Sequence, residues 1–333
     1  MAGSDPSGYA VVVGEALIDL VETPAEGGNV FRPLVGGAPL NVAAGIARLG
    51  ARAELVSAIG TDALGQRIWD LMARLGVGVR GCSRVDVPTT LAVTSLRAAV
   101  PEFAFYVPAG PPDASPEAVS FGQIGPEALD RDLVAGASVL YCGSIALLYA
   151  SAREVARRAW SVPGPLRVLD PNVRPRLLRD ASALRSTIEE FASEADLVQL
   201  SAADATTLFD LEPVAAAGHL RDAGARAVVV TLGADGVHAD VEARTGLGVA
   251  APVVEAIDTT GAGDACMAAT MYHLLAHGWP PGLDAWRDLL EFATTAASLS
   301  CRAPGGAMAM PGLEVIQSAR RHAGTGPFPG RTG

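Results

Sequence analysis

Six short runs of almost uninterrupted apolar residues recur along this chain: YAVVVG (9–14), AELVSAIG (53–60), SVLYCG (138–143), LRVLD (166–170), DLVQL (196–200) and RAVVVTLG (226–233). A strand with one solvated face alternates apolar and polar residues, whereas a strand covered on both faces reads as a continuous apolar run. Between these runs lie helical patterns. PLNVAAGIARLGA opens with Pro39 in its first turn and closes on Gly50, and DALGQRIWDLMARLGV and SAREVARRAW behave similarly. Alternating strands and helices predict an α/β fold with a doubly wound, mostly parallel sheet flanked by helices. Half of the 333 residues are apolar and 18% are charged, ample for a large core.

Two regions break this rhythm. Residues 16–37 and 89–110 alternate apolar and polar positions around turn signals, which predicts hairpins with one wet face. They read as a small β-sheet lid projecting from a core formed by 1–15, 38–88 and 111–320. The Gly/Pro-rich end, 321–333, reads as a disordered tail. Strands in such a lid leave unpaired edges, so a homodimer paired through the lid is the expected assembly.

Composition removes several functions. The formal net charge is −11 and no Lys/Arg run occurs, so a nucleic-acid partner is not expected. All 25 basic residues are arginine. This excludes the P-loop lysine, the strand lysine of protein kinases and any Schiff-base lysine. Cys82, Cys142, Cys266 and Cys301 are widely spaced, with no C-x-x-C pair, and read as reduced thiols of a cytoplasmic protein. With no basic n-region or long apolar run in residues 1–10, a secretory signal is not expected. Leu133–Ala152 is uncharged and about as long as a membrane span, but glycines and serines cut it into strand, turn and helix start. No membrane partner is expected.

The chemistry concentrates in DTTGAGDACMAA (258–269). GVAAPVVEAID reads as a strand, TTGAG as a tight turn, and DACMAATMYHLLAHG as a helix ended by Gly278. Amides of Gly261, Ala262 and Gly263 at a helix start form an anion site, to which the macrodipole adds. The two glycines let a ligand approach the backbone. Asp264 then sits where it can take a proton from an attacking hydroxyl, and the helix terminus is expected to keep it ionised. A plain loop with a capping acid is the rival reading. A dinucleotide fingerprint fails, because Cys266 stands where its third glycine would be. His273 and His277 share a helix face but read as helix-end histidines rather than metal ligands, and CGSIA is not a hydrolase elbow.

DTTGAGD resembles the signature of the ribokinase-like (PfkB) carbohydrate kinases, and GGAPLNVAAGIARLG (36–50) resembles that family's other signature. GEALIDL (14–20), LDPNVRPRLL (169–178) and VVTLGADGVHA (229–239) follow in the family's order, so the likeness spans roughly 9–312. The resemblance implies phosphoryl transfer from ATP to a sugar hydroxyl with Asp264 as base and Gly261–Gly263 as anion hole. It implies that Asp19, Gly36, Gly37 and Asn41 hold sugar hydroxyls, and that Asn172 and Arg174 face substrate or the γ-phosphate. Thr231, Gly233 and Gly236 fall in its nucleotide loop. Asp258 and Thr260 match a monovalent-cation loop, with K+ the expected ion, completed near CRAPGGA. Mg²⁺ is the implied divalent cofactor. Where the family carries N-x-x-E for placing metal and phosphate, this chain carries Ser201-x-x-Asp204.

Within the family the chain looks most like the fructokinase branch, with 2-keto-3-deoxygluconate kinases close behind. In the latter an aromatic pair followed by arginine grips the sugar-acid carboxylate; here the stretch reads Phe105-Tyr106-Val107. A lost bidentate contact of about 1.5–3 kcal/mol favours a neutral sugar. Phe103, Phe105 and Tyr106 either cover the sugar or pack within the lid. Ribokinase, nucleoside kinase and a catalytically silent binding protein are the alternatives.

Overall fold

The computed structural model describes residues 8–25, 28–97, 100–106, 124–125, 129–178, 180–241 and 246–323. The continuous apolar runs form the strands expected of them. In chain order these are β1 (Tyr9–Val13), β2 (Leu17–Ala25), β3 (Gly28–Gly36), β4 (Arg52–Gly60), β5 (Gly78–Val85), β6 (Leu91–Arg97) and β7 (Val100–Tyr106). There follow β8 (Val139–Gly143), β9 (Leu166–Asp170), β10 (Leu197–Ser201), β11 (Ala227–Thr231), β12 (Val237–Asp240) and β13 (Gly246–Val249).

Nine strands form one sheet in the order β13-β12-β11-β10-β9-β8-β1-β4-β5. It is parallel except at β12 and β13, which pair antiparallel. In β1, Ala10 and Val12 join the core on one face while Val11 and Val13 join the core on the other. Both faces are covered, which is why the run does not alternate. The chain leaves β1 for β4 on one side and returns to β8 on the other, so the order reverses beside β1. Crevices at the carboxyl ends of strands near such a reversal are where ligands bind in this architecture.

The remaining four strands form a separate sheet, β3-β2-β6-β7, with two antiparallel hairpins joined by a parallel β2–β6 pair. Asp19 lies opposite Leu34 on one side and beside Ala92 on the other, and Ala92 pairs with Phe105. Asp19, Ala92 and Phe105 therefore share one face of this sheet. That face packs on the body through Leu17, Ala92, Ile145 and Ala146, with Phe105 and Leu177 against them.

The structure differs from the sequence reading in two places. The strand expected over 248–258 stops at Val249, and residues 250–256 have no regular structure. The helix Leu313–Ala323 extends into the stretch read as a tail, whose residues 324–333 lie outside the described residues. Leu133–Ala152 is divided among the end of a short helix, β8, a 3₁₀ turn (Ser144–Leu148) and the start of a helix. No helix among the described residues is long and apolar enough to cross a membrane.

Candidate active site

The first helix, Ala38–Arg48, and the late helix, Ala262–His277, bring the two signature segments together. A Cβ placed on Gly45 would lie 2.5 Å from the Cβ of Ala268, an approach only glycine allows. One turn earlier on each helix stand Asn41 and Asp264, and the Asn41 amide donates to Asp264 Oδ2 at 2.7 Å. Asp264 is 8% exposed.

Its proton affinity differs from the sequence expectation. Burial raises the Asp264 carboxyl above its ordinary range, while the Asn41 hydrogen bond and the Arg174 charge pull it back. Desolvation outweighs the helix terminus, which makes the carboxylate a stronger proton acceptor.

Gly261 caps the late helix in the left-handed region (φ 82°), and its missing Cβ admits Gly306, whose Cα would otherwise be 3.1 Å away. A Cβ on Gly263 would meet nothing within 4 Å, so that side of the helix start is open. The Ala262 amide donates back to Thr259 O at 3.2 Å, which leaves Gly261 and Gly263 to present their N–H groups. Asp258 ties this loop to the next: Oδ1 accepts from Thr260 N at 2.9 Å and Oδ2 from Gly305 N at 3.2 Å.

Asp19 needs the glycine diagonal to it on β3. A Cβ on Gly36 would fall 1.9 Å from Asp19 Oδ2, and one on Gly37 (φ 104°) would lie 2.7 Å from Glu15 O. Burial raises the Asp19 carboxyl to about 6; Arg174 opposes this and Asp264 adds to it. Asp19, Asp264, Asn41 and Arg174 thus meet in one place. Phe105 is half-buried against the body, Tyr106 is 61% exposed, and the Phe103 side chain and Val107 lie outside the described residues.

Asn172 (φ 38°) and Ser144 (φ 64°) are non-glycine residues in the left-handed region, standing just past the ends of neighbouring strands β9 and β8. Such strain persists where the surroundings over-determine it. Asn172 N donates to Asp170 Oδ1 at 3.0 Å, and Arg174 donates to the Asn172 side chain and to Val173 O. Ser144 Oγ donates to Glu15 Oε1 at 2.6 Å.

Ser201 and Asp204 form a capping box on the helix Ala202–Phe209. Asp204 Oδ2 accepts from Ser201 N and Oγ, and its Oδ1 accepts from Val173 N at 2.8 Å. The pair therefore braces the Asn172–Arg174 loop. Thr231 ends β11 beside Ser201. Gly233 (φ 62°) and Gly236 (φ 98°) shape the turn that follows, and a Cβ on Gly236 would strike Val249 O.

Two buried acids escaped the sequence reading. Glu15, 2% exposed, accepts from Ser144 Oγ and Ala146 N, and burial lifts its carboxyl to about 7. Asp170 is raised well above the carboxylate range by burial, with Asp204 and Asp264 adding to it. The available signal was an acid immediately closing an apolar run, in VVVGE and in RVLD. Arg174 is the cation that opposes the shift in Glu15, Asp19, Asp170 and Asp264 alike. His273 stands 3.4 Å from Asp288, an acid contributed by another helix that the local sequence could not reveal.

A reversal-point crevice with an amide-rich helix start, a buried carboxyl and a facing arginine holds the kinds of group that phosphoryl transfer to an alcohol requires. The sequence profile of the pfkB family of carbohydrate kinases matches residues 7–312, and the chain belongs to that family. A fructokinase of Klebsiella pneumoniae is 31% identical over 93% of this chain and 99% of its own. The crystal structure of Xylella fastidiosa fructokinase with bound ATP superposes with a TM-score of 0.84 at 26% identity, covering 95% of this chain and 99% of that one. A Vibrio cholerae O395 fructokinase solved with fructose, ADP and calcium ion shares the fold (TM-score 0.81, 23% identity, 94% and 99% covered).

Proposed function

We propose that this kinase transfers the γ-phosphoryl group of ATP to a primary hydroxyl of a neutral sugar, with fructose the favoured substrate. The observation that carries the reading is the 2.7 Å bond from Asn41 to Asp264 at the head of the late helix. It aims a buried carboxylate at the space beside the Gly261 and Gly263 amides. Asp264 takes the hydroxyl proton as the oxygen attacks, and the amides receive the charge spreading over the transferring group. Asp19 accepts hydrogen bonds from sugar hydroxyls, and Arg174 faces the phosphoryl oxygens. The stretch Phe105-Tyr106-Val107 carries no arginine to pair with a sugar-acid carboxylate, which supports a neutral sugar. The small sheet, with Asp19 and Phe105 on its inner face, serves as the cover that keeps water from the reaction.

Among the described residues no three His, Cys, Asp or Glu side chains converge as a metal cage. Mg²⁺ therefore fits as an ion carried by nucleotide phosphates and water, with Ser201 and Asp204 as water-bridged partners, because their hydrogen bonds already engage both Asp204 oxygens. When bound, it neutralises charge on the β- and γ-oxygens. The Thr231–Gly236 turn fits the nucleotide, and the Asp258–Thr260 loop fits a monovalent cation such as K+. The exposed Val30 and Phe31 of edge strand β3 support pairing of two subunits through the small sheet.

A coupled ADP-release assay with fructose, ribose, 2-keto-3-deoxygluconate and adenosine tests the substrate; turnover of none of them would favour a silent binding protein. Asp264→Asn is expected to lose at least about a hundredfold in kcat with ATP affinity retained. Near-normal turnover would remove Asp264 as the base.

A further inference from the structure

Strand β10 is apolar and buried at Leu197, Val198 and Leu200, yet between them stands Gln199, itself 2% exposed. An amide in that position is unfavourable unless its polar atoms are used. Its Nε2 donates to the carbonyl oxygen of Gly263 at 3.2 Å, 64 residues further along the chain. Its Oε1 is buried and has no hydrogen-bond partner among the described residues, so the donor alone holds the side chain there.

Gly263 is open on its outer side, where a Cβ would meet nothing within 4 Å. Gln199 therefore grips from the sheet side the same residue that offers its amide to the crevice. Leu197 pairs with Val168, which puts Gln199 level with Asp170 on the neighbouring strand. Two residues on, Ser201 begins the capping box through which Asp204 holds Val173. One strand end thus braces both the amide-bearing turn and the Arg174 loop.

We infer that Gln199 is a positioning residue for phosphoryl transfer: its carboxamide fixes the first turn of the late helix so that the Gly261 and Gly263 N–H groups converge. The inference rests on the kinase reading above. Donors of this kind act through being held in place before charge develops, and small misplacements are expensive in rate.

The test compares Gln199→Met, of similar length without a donor, with Gln199→Lys, which restores an N–H donor beside Asp170. For Gln199→Met the expected result is a fall in kcat of roughly tenfold, sugar KM within about twofold, and ADP affinity unchanged. Affinity for ADP with aluminium fluoride, a mimic of the transferring group, falls in proportion to kcat, and Gln199→Lys recovers most of both. Amides of Gly263–Ala265 exchange hydrogen faster in Gln199→Met while the β10 amides keep their protection. Wild-type kcat per folded molecule, or protection lost evenly across the sheet, would overturn the inference. If Gln199→Met does not fold, Gln199→Glu, which turns an acceptor toward Gly263 O, is read in the same way. If the wild type phosphorylates no sugar, the kinase reading fails, and the exchange comparison alone still decides whether Gln199 holds the turn.

Discussion

Asn41 and Asp264 lie 223 residues apart in the chain and are joined by a 2.7 Å hydrogen bond in the buried floor of the crevice. The bond favours the ionised form of the acid, opposing the burial that favours the neutral one. Asn41→Leu removes that opposition. The acidic limb of the kcat/KM profile is expected to move up by about one pH unit, with kcat lowered about tenfold. An unmoved limb in the pH–rate profile would show that the bond does not tune the base.

Gly36 leaves room for the Asp19 carboxylate, since a Cβ there would sit 1.9 Å from Oδ2. Gly36→Ala is expected to displace Asp19 and raise sugar KM about tenfold or more, with nucleotide KM unaffected. Steady-state kinetics with each substrate varied in turn separates the two.

Glu15 gives stability an unusual pH dependence. Its carboxyl titrates at about 7 in the fold against 4.5 in the open chain, so the folded state binds the extra proton between those values. Stability is greatest below pH 4.5 for this group and falls as pH rises through the interval, by roughly 3 kcal/mol in order of magnitude. Glu15→Gln is expected to flatten the decline in thermal midpoint between pH 5 and 8. A decline equal to that of the wild type would locate its origin elsewhere.

Gly45→Ala sets two effects against each other. Alanine favours a helix by about 0.8–1 kcal/mol over glycine, but here its Cβ would lie 2.5 Å from that of Ala268. Overpacking of about 1–3 kcal/mol outweighs propensity, so the melting temperature falls and kcat falls with it as Asn41 is drawn off Asp264. A raised melting temperature would show that the helices yield freely.

Much of this was legible in the sequence because burial on two faces leaves a direct trace. The apolar runs located the parallel strands, and alternation over 16–37 and 89–110 located the four-stranded sheet. Helix signals located Asn41 and Asp264 individually. Their contact was not legible, since it depends on where two helices cross. Glu15 and Asp170 fall inside motifs without an assigned role, and only the strand order brings both within reach of the Arg174 charge. The helix terminus suggested an ionised Asp264, while desolvation, invisible in a linear chain, moved it the other way. Residues 250–257 carry apolar composition without a strand, and Val253 and Ile257 are exposed there.

Glu15, Asp19, Asp170 and Asp264 gather around the Arg174 guanidinium, and burial lets these acids keep protons that solvated carboxyls would release. An arriving polyanion such as a nucleoside triphosphate would tighten that hold further, since nearby negative charge favours the neutral acids. Loading of the cleft and uptake of protons from solvent are thereby linked, and the linkage reverses when the anion leaves.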